Sequence, residues 1–381
     1  MMEIAFWGLV AIVFYVYAGY PLVLLLVAPR LNRPVSKRSE ETPSVTLLIS
    51  AFNEEKWIAQ KLDNCLQLDY PVDRLQTVVI SDASTDLTDA TVAEYEEKGV
   101  TLLRMEQRGG KTLGLNVGVK NAQNDIVVFS DANAMYARDA VRALVAPFAD
   151  PQVGAVIGES RYVESHSDAA RSETLYWRYE KLIKLLESRC GSVVGGDGAI
   201  YAVRRSLYQP MTADSLSDFV NPLQVVQKGY RCVYEPGAFS YEETAGAFAG
   251  EYRRKVRIVN RGWRALMSMR DLLNPFRYGL FSWQLISHKL LRWLVPLFLF
   301  AAFLLNILLL AQHSVYWLTL FLQILFYGLA AVGALLRGRD LAIPLYIPYY
   351  FCLVNIASAR GIIEAFRGKT YTTWSTARMD G

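Results

Sequence analysis

The charged residues of this chain crowd into its middle, and that segregation constrains everything else about it. Of 381 residues, 52% are hydrophobic and 20% charged, a mixture that an evenly patterned soluble chain rarely carries. Residues 4–28 form an apolar run, long enough to cross a hydrocarbon layer of about 30 Å at about 1.5 Å per residue. The run is too long for a cleaved leader and has only Glu3 ahead of it instead of a basic start, so it reads as an anchor. Arg30, Arg33, Lys37 and Arg38 follow. Basic residues stay on the cytoplasmic side, so the polar domain is expected to face the cytoplasm from an inner membrane.

Two further spans are expected at 291–311 and 315–336, joined by the short 312–314 turn, with Arg337 and Arg339 on the cytoplasmic side. The last hydrophobic stretch, 341–366, carries Pro344, Pro348, Arg360 and Glu364. It reads as a third span, although crossing would leave Arg367, Lys369 and Arg378 outside, against the charge rule. An interfacial or re-entrant helix is the alternative. Residues 276–293 mix Phe281, Trp283 and Leu285 with Arg277, His288, Lys289 and Arg292, which predicts a helix lying in the interface or a linker helix ahead of the span. The organisation is therefore an anchor at 1–28, a cytoplasmic domain at 43–265, an interfacial helix at 276–293, a membrane region of two or three spans at 291–366, and a tail at 367–381.

Several chemistries are excluded or disfavoured. Cys65, Cys190, Cys232 and Cys352 lie far apart without a CxxC pair, and His166, His288 and His313 are equally scattered, so neither a zinc site nor a disulfide framework is expected. The net charge of +4 is too mild to argue for nucleic acid.

From Pro43 the pattern alternates between apolar strand, polar loop and helix. The runs at 45–50 (VTLLIS), 77–81 (TVVIS), 100–103 and 126–130 (IVVFS) are rich in Val, Ile and Leu without alternation. Such runs belong to strands buried on both faces, hence to a parallel sheet covered by helices. Helices are expected between them at 56–68, 85–98, 111–122 and 138–148. The fold class is α/β, doubly wound, and ligands in such sheets bind beyond the carboxyl ends of the strands.

Polar residues gather at those ends. Asn53 and Glu54 follow the first strand and Asp82 the second. Thr85 or Asp86 can cap the following helix, but Asp82 stands one step too early for that and can accept from a nucleobase or from ribose hydroxyls. The GGKT run at 109–112 lacks the P-loop spacing, since Met105 stands where the first glycine belongs. Lys111 nevertheless opens a helix after two glycines, where its charge and the helix N-terminus can face a pyrophosphate. Asp131 and Asn133 offer two oxygen-bearing side chains at i and i+2 on an extended tip, suited to a hard divalent cation. Asp218 opens a later helix, as a cap or as a general base. Arg253, Arg254, Lys255, Arg257, Arg261 and Trp263 form a basic segment ahead of the membrane. It can meet anionic headgroups, or clamp diphosphate and stack a sugar on Trp263.

Six motifs in order resemble the family 2 glycosyltransferases, particularly the membrane-embedded branch of cellulose, chitin and hyaluronan synthases. They are SAFNEE at 50–55, SDASTD at 81–86, GKTLGLN at 110–116, SDAN at 130–133, GGDGAIY at 195–201, and Asp218 ahead of Gly229, Tyr230 and Arg231. The resemblance implies a nucleotide-sugar-binding, GT-A-like parallel-sheet domain flanked by transmembrane helices. Within it, Asp82 would contact the base of a UDP-linked donor beside Asn53 and Glu54, and Lys111 and Asn116 would support the nucleotide and its phosphates. Asp131, with Asn133, would hold Mg²⁺ or Mn²⁺. Gly195, Gly196, Asp197 and Gly198 would shape the acceptor site with Arg257, Arg261 and Trp263, and Asp218 would be the base of an inverting displacement. The acceptor would be a growing polysaccharide or lipid-linked glycan beside membrane lipid, with export partners unidentified. Polyprenyl phosphate is a second acceptor class, and an inactive scaffold subunit of an export complex the non-enzymatic reading. Two positions depart from the family pattern. Asn133 replaces the second aspartate of the usual Asp-x-Asp. The stretch from Val259 to Trp263 lacks the glutamine of Gln-x-x-Arg-Trp, which weakens the case for processive polymerisation.

Overall fold

Val45–Ala51 is buried along its whole length, and this first strand, β1, organises the sheet around it. In the computed structural model, the described residues are 1–38, 40–163, 168–243, 248–336 and 341–372, with the side chains of 162–176 and 243–249 left out. His166, Arg337, Arg339 and Arg378 lie outside the described residues. The remaining strands are β2 (Leu75–Ser81), β3 (Val100–Arg104), β4 (Ile126–Asp131), β5 (Met135–Tyr136), β6 (Val153–Val163), β7 (Ile200–Arg204) and β8 (Arg231–Glu243). Among the described residues they form one sheet in the order β3-β2-β1-β4-β7-β6-β8-β5.

The four apolar runs read from the sequence form its parallel half, with β2 and β4 on either side of β1 and β3 beyond β2. The other half departs from an all-parallel sheet. β7 runs antiparallel to β4 and to β6, and β5 antiparallel to β8. Consecutive strands of the parallel half lie on opposite sides of β1, so the chain reverses its winding there and opens a crevice at the strand tips.

The sheet separates two apolar layers. On one face Leu47, Ile49 and Val128 pack on Ile58, Leu62, Val141 and Leu144, from the helices Ile58–Leu66 and Ala140–Val145. On the other, Leu48, Ile80 and Phe129 pack on Leu115 and Val119 of the Lys111–Asn121 helix. This second layer continues without a break into Val259, Trp263, Trp293 and Ile362. The core of the sheet domain and the base of the apolar helices are thus one apolar body.

Among the described residues, three helices are long and apolar enough to cross a membrane: Met2–Leu31, Leu280–Leu309 and Ser314–Leu335. The 276–293 segment is not a single interfacial helix. It breaks at Gly279, whose φ of 56° suits only glycine well, and from Leu280 it runs continuously into the apolar helix. Two of its basic residues turn inward: His288 Nδ1 lies 2.7 Å from Glu187 Oε1, and Arg292 donates to Glu180 Oε1 at 2.5 Å, whereas Arg277 stays exposed and pairs with Asp271. Burial of the Glu180 carboxyl opposes ionisation, but Arg292 and His288 outweigh it and hold the pKa well below the ordinary range.

The 341–366 stretch is helical over Ile343–Phe366. Its first half packs on Ser314–Leu335 at Gly333, where an added Cβ would lie 2.9 Å from Leu345 O. Its second half packs on the domain helix Phe248–Ser268, where a Cβ on Gly361 would lie 2.8 Å from Val256 O. Gly361→Ala must separate two backbones and should cost about 1–3 kcal/mol, read as a lower thermal midpoint in detergent. Gly328→Ala, with nothing within 4 Å of the new methyl, should leave that midpoint unchanged or raise it.

Candidate active site

The tips of β1 and β2 are tied to each other before they are tied to anything else. Asn53 and Ala83 adopt positive φ, 52° and 57°, a strained choice for alanine in particular. Both stand where a strand ends at the crevice. Thr85 N donates to Asn53 Oδ1 at 2.8 Å and Glu54 N to Thr88 Oγ1 at 2.8 Å. The two loops therefore form one rim. Asn53 and Glu54 are half-buried within it.

Asp82 is 2% exposed. Its carboxylate accepts from Gly109 N at 2.7 Å and from Gly110 N at 2.9 Å. Here its first role is to shape the glycine turn that opens the Lys111–Asn121 helix. Gly110 has φ 87°, and that backbone turns Lys111 into the crevice.

Lys111 Nζ donates to Asp131 Oδ1 and, at 3.0 Å, to Gly198 O. A methyl placed on Gly198 would touch Lys111 Nζ at 3.5 Å and Asp218 Oδ2 at 3.7 Å. Ammonium and carboxylate therefore face each other across this glycine. Gly196 has no room for a side chain at all: its Cβ would lie 2.4 Å from Asp218 O, to which its own N–H donates at 2.8 Å. The structure thus brings Lys111, Asp131, Gly195–Gly198 and Asp218 together, with Asp82 one turn away. Asp197 is held by Ser160, whose Oγ donates to it at 2.8 Å.

Burial pushes the Asp218 carboxyl above its ordinary range; Lys111 and Arg261 pull it down, and Asp197 adds to the rise. Arg261 Nε donates to Asp214 O at 3.0 Å, and its Nη2 donates to Thr112 Oγ1 at 3.1 Å and to Ser215 O. It ties the loop ahead of Asp218 to the start of the Lys111 helix, and burial brings its pKa down to about 10. Arg257, one turn earlier, is half-buried, and burial, then Arg254, lowers its pKa.

Two expected residues point elsewhere. Asn116 donates to Met211 O at 2.7 Å and accepts from Met211 N at 3.0 Å and Tyr208 OH at 2.8 Å, so its amide holds the 208–211 turn. Trp263 is buried in the core, its ring 5.8 Å from that of Phe366. The helix that carries it turns its apolar face to the membrane-side helices, and the ring goes with that face.

Sequence reasoning missed Lys61 and Glu242. Lys61 is fully buried, donates to Ala134 O and lies 3.9 Å from the Tyr136 ring centroid, beneath the Asp131 turn. Its signal was present: Ile58, Lys61, Leu62 and Cys65 share the buried face of one helix. Glu242 has no local signal. Ser160 Oγ donates to it at 3.0 Å, and burial, then Asp197 and Asp131, pushes its pKa up to about 7.

The donor set suits a divalent cation that shares its coordination with a ligand. Asp131 already accepts a cationic group, and Asn133 lies half-buried on the same turn. Among the described residues, no group of three or more His, Cys, Asp or Glu side chains could hold a metal. Phosphate oxygens would therefore have to complete the shell, as they do for Mg²⁺.

Residues 46–210 match the family model of glycosyl transferase family 2. The poly-beta-1,6-N-acetyl-D-glucosamine synthase of Staphylococcus aureus is 26% identical over 254 residues, covering 65% of this chain and 61% of that protein. The probable glycosyltransferase YdaM of Bacillus subtilis is 28% identical over 240 residues, 57% of this chain and 55% of that one. The chain thus spans less than two thirds of the length of these curated relatives. Among solved structures, the mannosyltransferase PcManGT from Pyrobaculum calidifontis, in complex with GDP-Man and Mn²⁺, superposes with a TM-score of 0.73 at 24% identity, covering 97% of this chain and 100% of that one. That likeness is one of fold.

Asn116→Ala should lower the thermal midpoint, because the 208–211 turn loses its anchor at a cost of about 1–3 kcal/mol.

Proposed function

We propose, from the match of residues 46–210 to the glycosyl transferase family 2 model, that this chain transfers a sugar from a UDP-linked donor to a hydroxyl of a glycan acceptor. The transfer takes place at the cytoplasmic face of the membrane and inverts the anomeric centre. The observation that carries the reading is the meeting of Lys111, Asp131 and Asp218 around Gly198.

The acceptor hydroxyl oxygen attacks the anomeric carbon as the bond from that carbon to the β-phosphate oxygen breaks. The hydroxyl proton passes to Asp218, and the nucleoside diphosphate leaves with the bonding pair. A carboxylate is a better base when its pKa is raised, and burial raises that of Asp218. Lys111 offers a positive charge to the departing diphosphate, in a crevice where charge is poorly screened. Mg²⁺ or Mn²⁺, held by Asp131 with Asn133, would supply further charge to the same phosphates. Lys61 beneath the turn and the rim formed by Asn53, Glu54 and Asp82 keep these groups in place. Arg261 positions the Asp218 loop.

Addition of one or few sugars is favoured over processive polymerisation, because Trp263 is committed to the core. An inactive scaffold is disfavoured by the raised pKa and ion pairing retained at Asp218 and Lys111.

Asp218→Asn should lower kcat by about 10²–10⁴-fold with little change in donor affinity, as diphosphate release and calorimetry would show. Turnover undiminished in this variant would sink the assignment of the base. The free carboxyl must be ionised to act, and its pKa is raised, so kcat/KM should fall toward acid pH with a midpoint above about 4. Asp131→Ala should weaken Mn²⁺-dependent donor binding by at least about tenfold, read by the Mn²⁺ dependence of diphosphate release.

A further inference from the structure

Among the described residues, cations outnumber carboxylates where Leu280–Leu309 meets the domain helix Asp168–Cys190. Glu180 and Glu187 are both satisfied. Arg292 donates to Glu180 Oε1 at 2.5 Å, and His288 Nε2 lies 3.3 Å from Glu180 Oε2. Glu187 accepts from Tyr20 OH at 2.5 Å and from Val194 N at 3.1 Å, with His288 Nδ1 beside it. Lys289 and Lys184 remain. Neither has a carboxylate partner among the described residues. Lys184 lies only loosely over the Tyr234 ring, 5.9 Å from its centroid. Lys289 feels the repulsion of Arg292 and Lys184 as well as the attraction of the two glutamates. Even with His288 uncharged, three cations face two carboxylates here. Both lysines are half-buried, and a partly desolvated ammonium without a carboxylate partner favours an anion beside it.

Lys289 points toward the candidate active site. A Cβ on Gly195 would lie 3.5 Å from Lys289 Cε and 3.6 Å from its Nζ. Gly195 is three residues from Gly198, where Asp218 and Lys111 face each other, and three residues span at most about 10 Å. Lys289 also marks a depth. After Arg292 the helix carries no charge through Leu309, so the ammonium stands where the chain leaves water for hydrocarbon. Earlier on the same helix Trp283 Nε1 donates to Tyr15 OH at 2.8 Å, and such amphipathic rings favour the headgroup zone.

We propose that Lys289 and Lys184 hold the phosphate of a lipid-linked saccharide acceptor, at headgroup depth, while the sugar end reaches Asp218. This rests on the reading of Asp218 as the acceptor end of the site and deepens it by naming the carrier. A phosphate ester at Lys289 supplies the missing negative charge, and a charge-assisted hydrogen bond orients the acceptor. The hydroxyl that attacks remains a sugar hydroxyl, so the base at Asp218 is still needed.

The test uses the full chain in lipid nanodiscs, with two acceptors: a polyprenyl-diphosphate-linked monosaccharide, and the same monosaccharide as a water-soluble glycoside. Lys289→Met should raise KM for the lipid-linked acceptor by about tenfold or more, Lys289→Arg should restore most of it, and KM for the soluble glycoside should hold. An equal change for both acceptors, or none for either, overturns the proposal. Inorganic diphosphate is the arm for a free anion: competition with the lipid-linked acceptor at similar concentrations would remove the lipid from the proposal and overturn it as stated. Donor affinity, measured separately by calorimetry, reports on the transferase reading alone. If neither acceptor turns over, the thermal shift produced by polyprenyl phosphate decides: a shift lost in Lys289→Met supports the site, and no shift in the wild type overturns it.

Discussion

The ammonium of Lys111 joins parts of the chain that no covalent path brings close. It reaches the tip of β4 through Asp131 and the 195–198 segment through Gly198 O, so the parallel and antiparallel halves of the sheet meet at one charge. That contact depends on the turn before it. Asp82 holds the amides of Gly109 and Gly110, and a glycine at φ 87° lets the helix begin with its lysine aimed inward. A cationic side chain already resting on the carboxylate keeps the pocket charge-balanced, and a phosphate, were one bound there, would give the lysine a stronger anion to turn to.

The surrounding apolar body explains why the site is rigid. β1 is sealed on both faces, and the layer beneath Lys111–Asn121 runs unbroken into Trp263, Trp293 and Ile362. Close packing of this kind transmits small displacements instead of absorbing them. The membrane-facing helices are therefore part of the scaffold that sets the spacing of Asp131 and Asp218.

Much of this was legible in the sequence, and the exceptions share a cause. The four parallel strands announced themselves because burial on both faces demands uninterrupted Val, Ile and Leu, and polar residues immediately after such runs must lie at the crevice. Asp82 and Asp131 were read that way, Lys111 from the glycine pair that opens its helix, and Asp218 from its place at the start of a later helix and from the family resemblance. The mixed half was not legible, since β6 and β8 are long strands that pair parallel to each other and antiparallel to β7 and β5, with partners set by distant stretches of chain. Asn116 and Trp263 were read by residue type, yet their roles are set by which helix face meets the core. The tie from Ser160 to Asp197 and Glu242 crosses 37 and 82 residues and leaves no mark in any local pattern. Lys61 could have been read, because a lone charge on an apolar stripe must answer to something buried.

The Phe248–Ser268 helix is gripped twice. Arg261 fastens it to Thr112 and the 214–215 loop, and Asn260 donates to Gly361 O at 3.3 Å on the opposite side, where the C-terminal helix lies against it. It acts as a lever with one arm in the transfer crevice and the other on a helix embedded among apolar neighbours. Any displacement of the C-terminal helix would be felt at the first turn behind Lys111, so the packing on the far side of this helix helps to set the shape of the crevice.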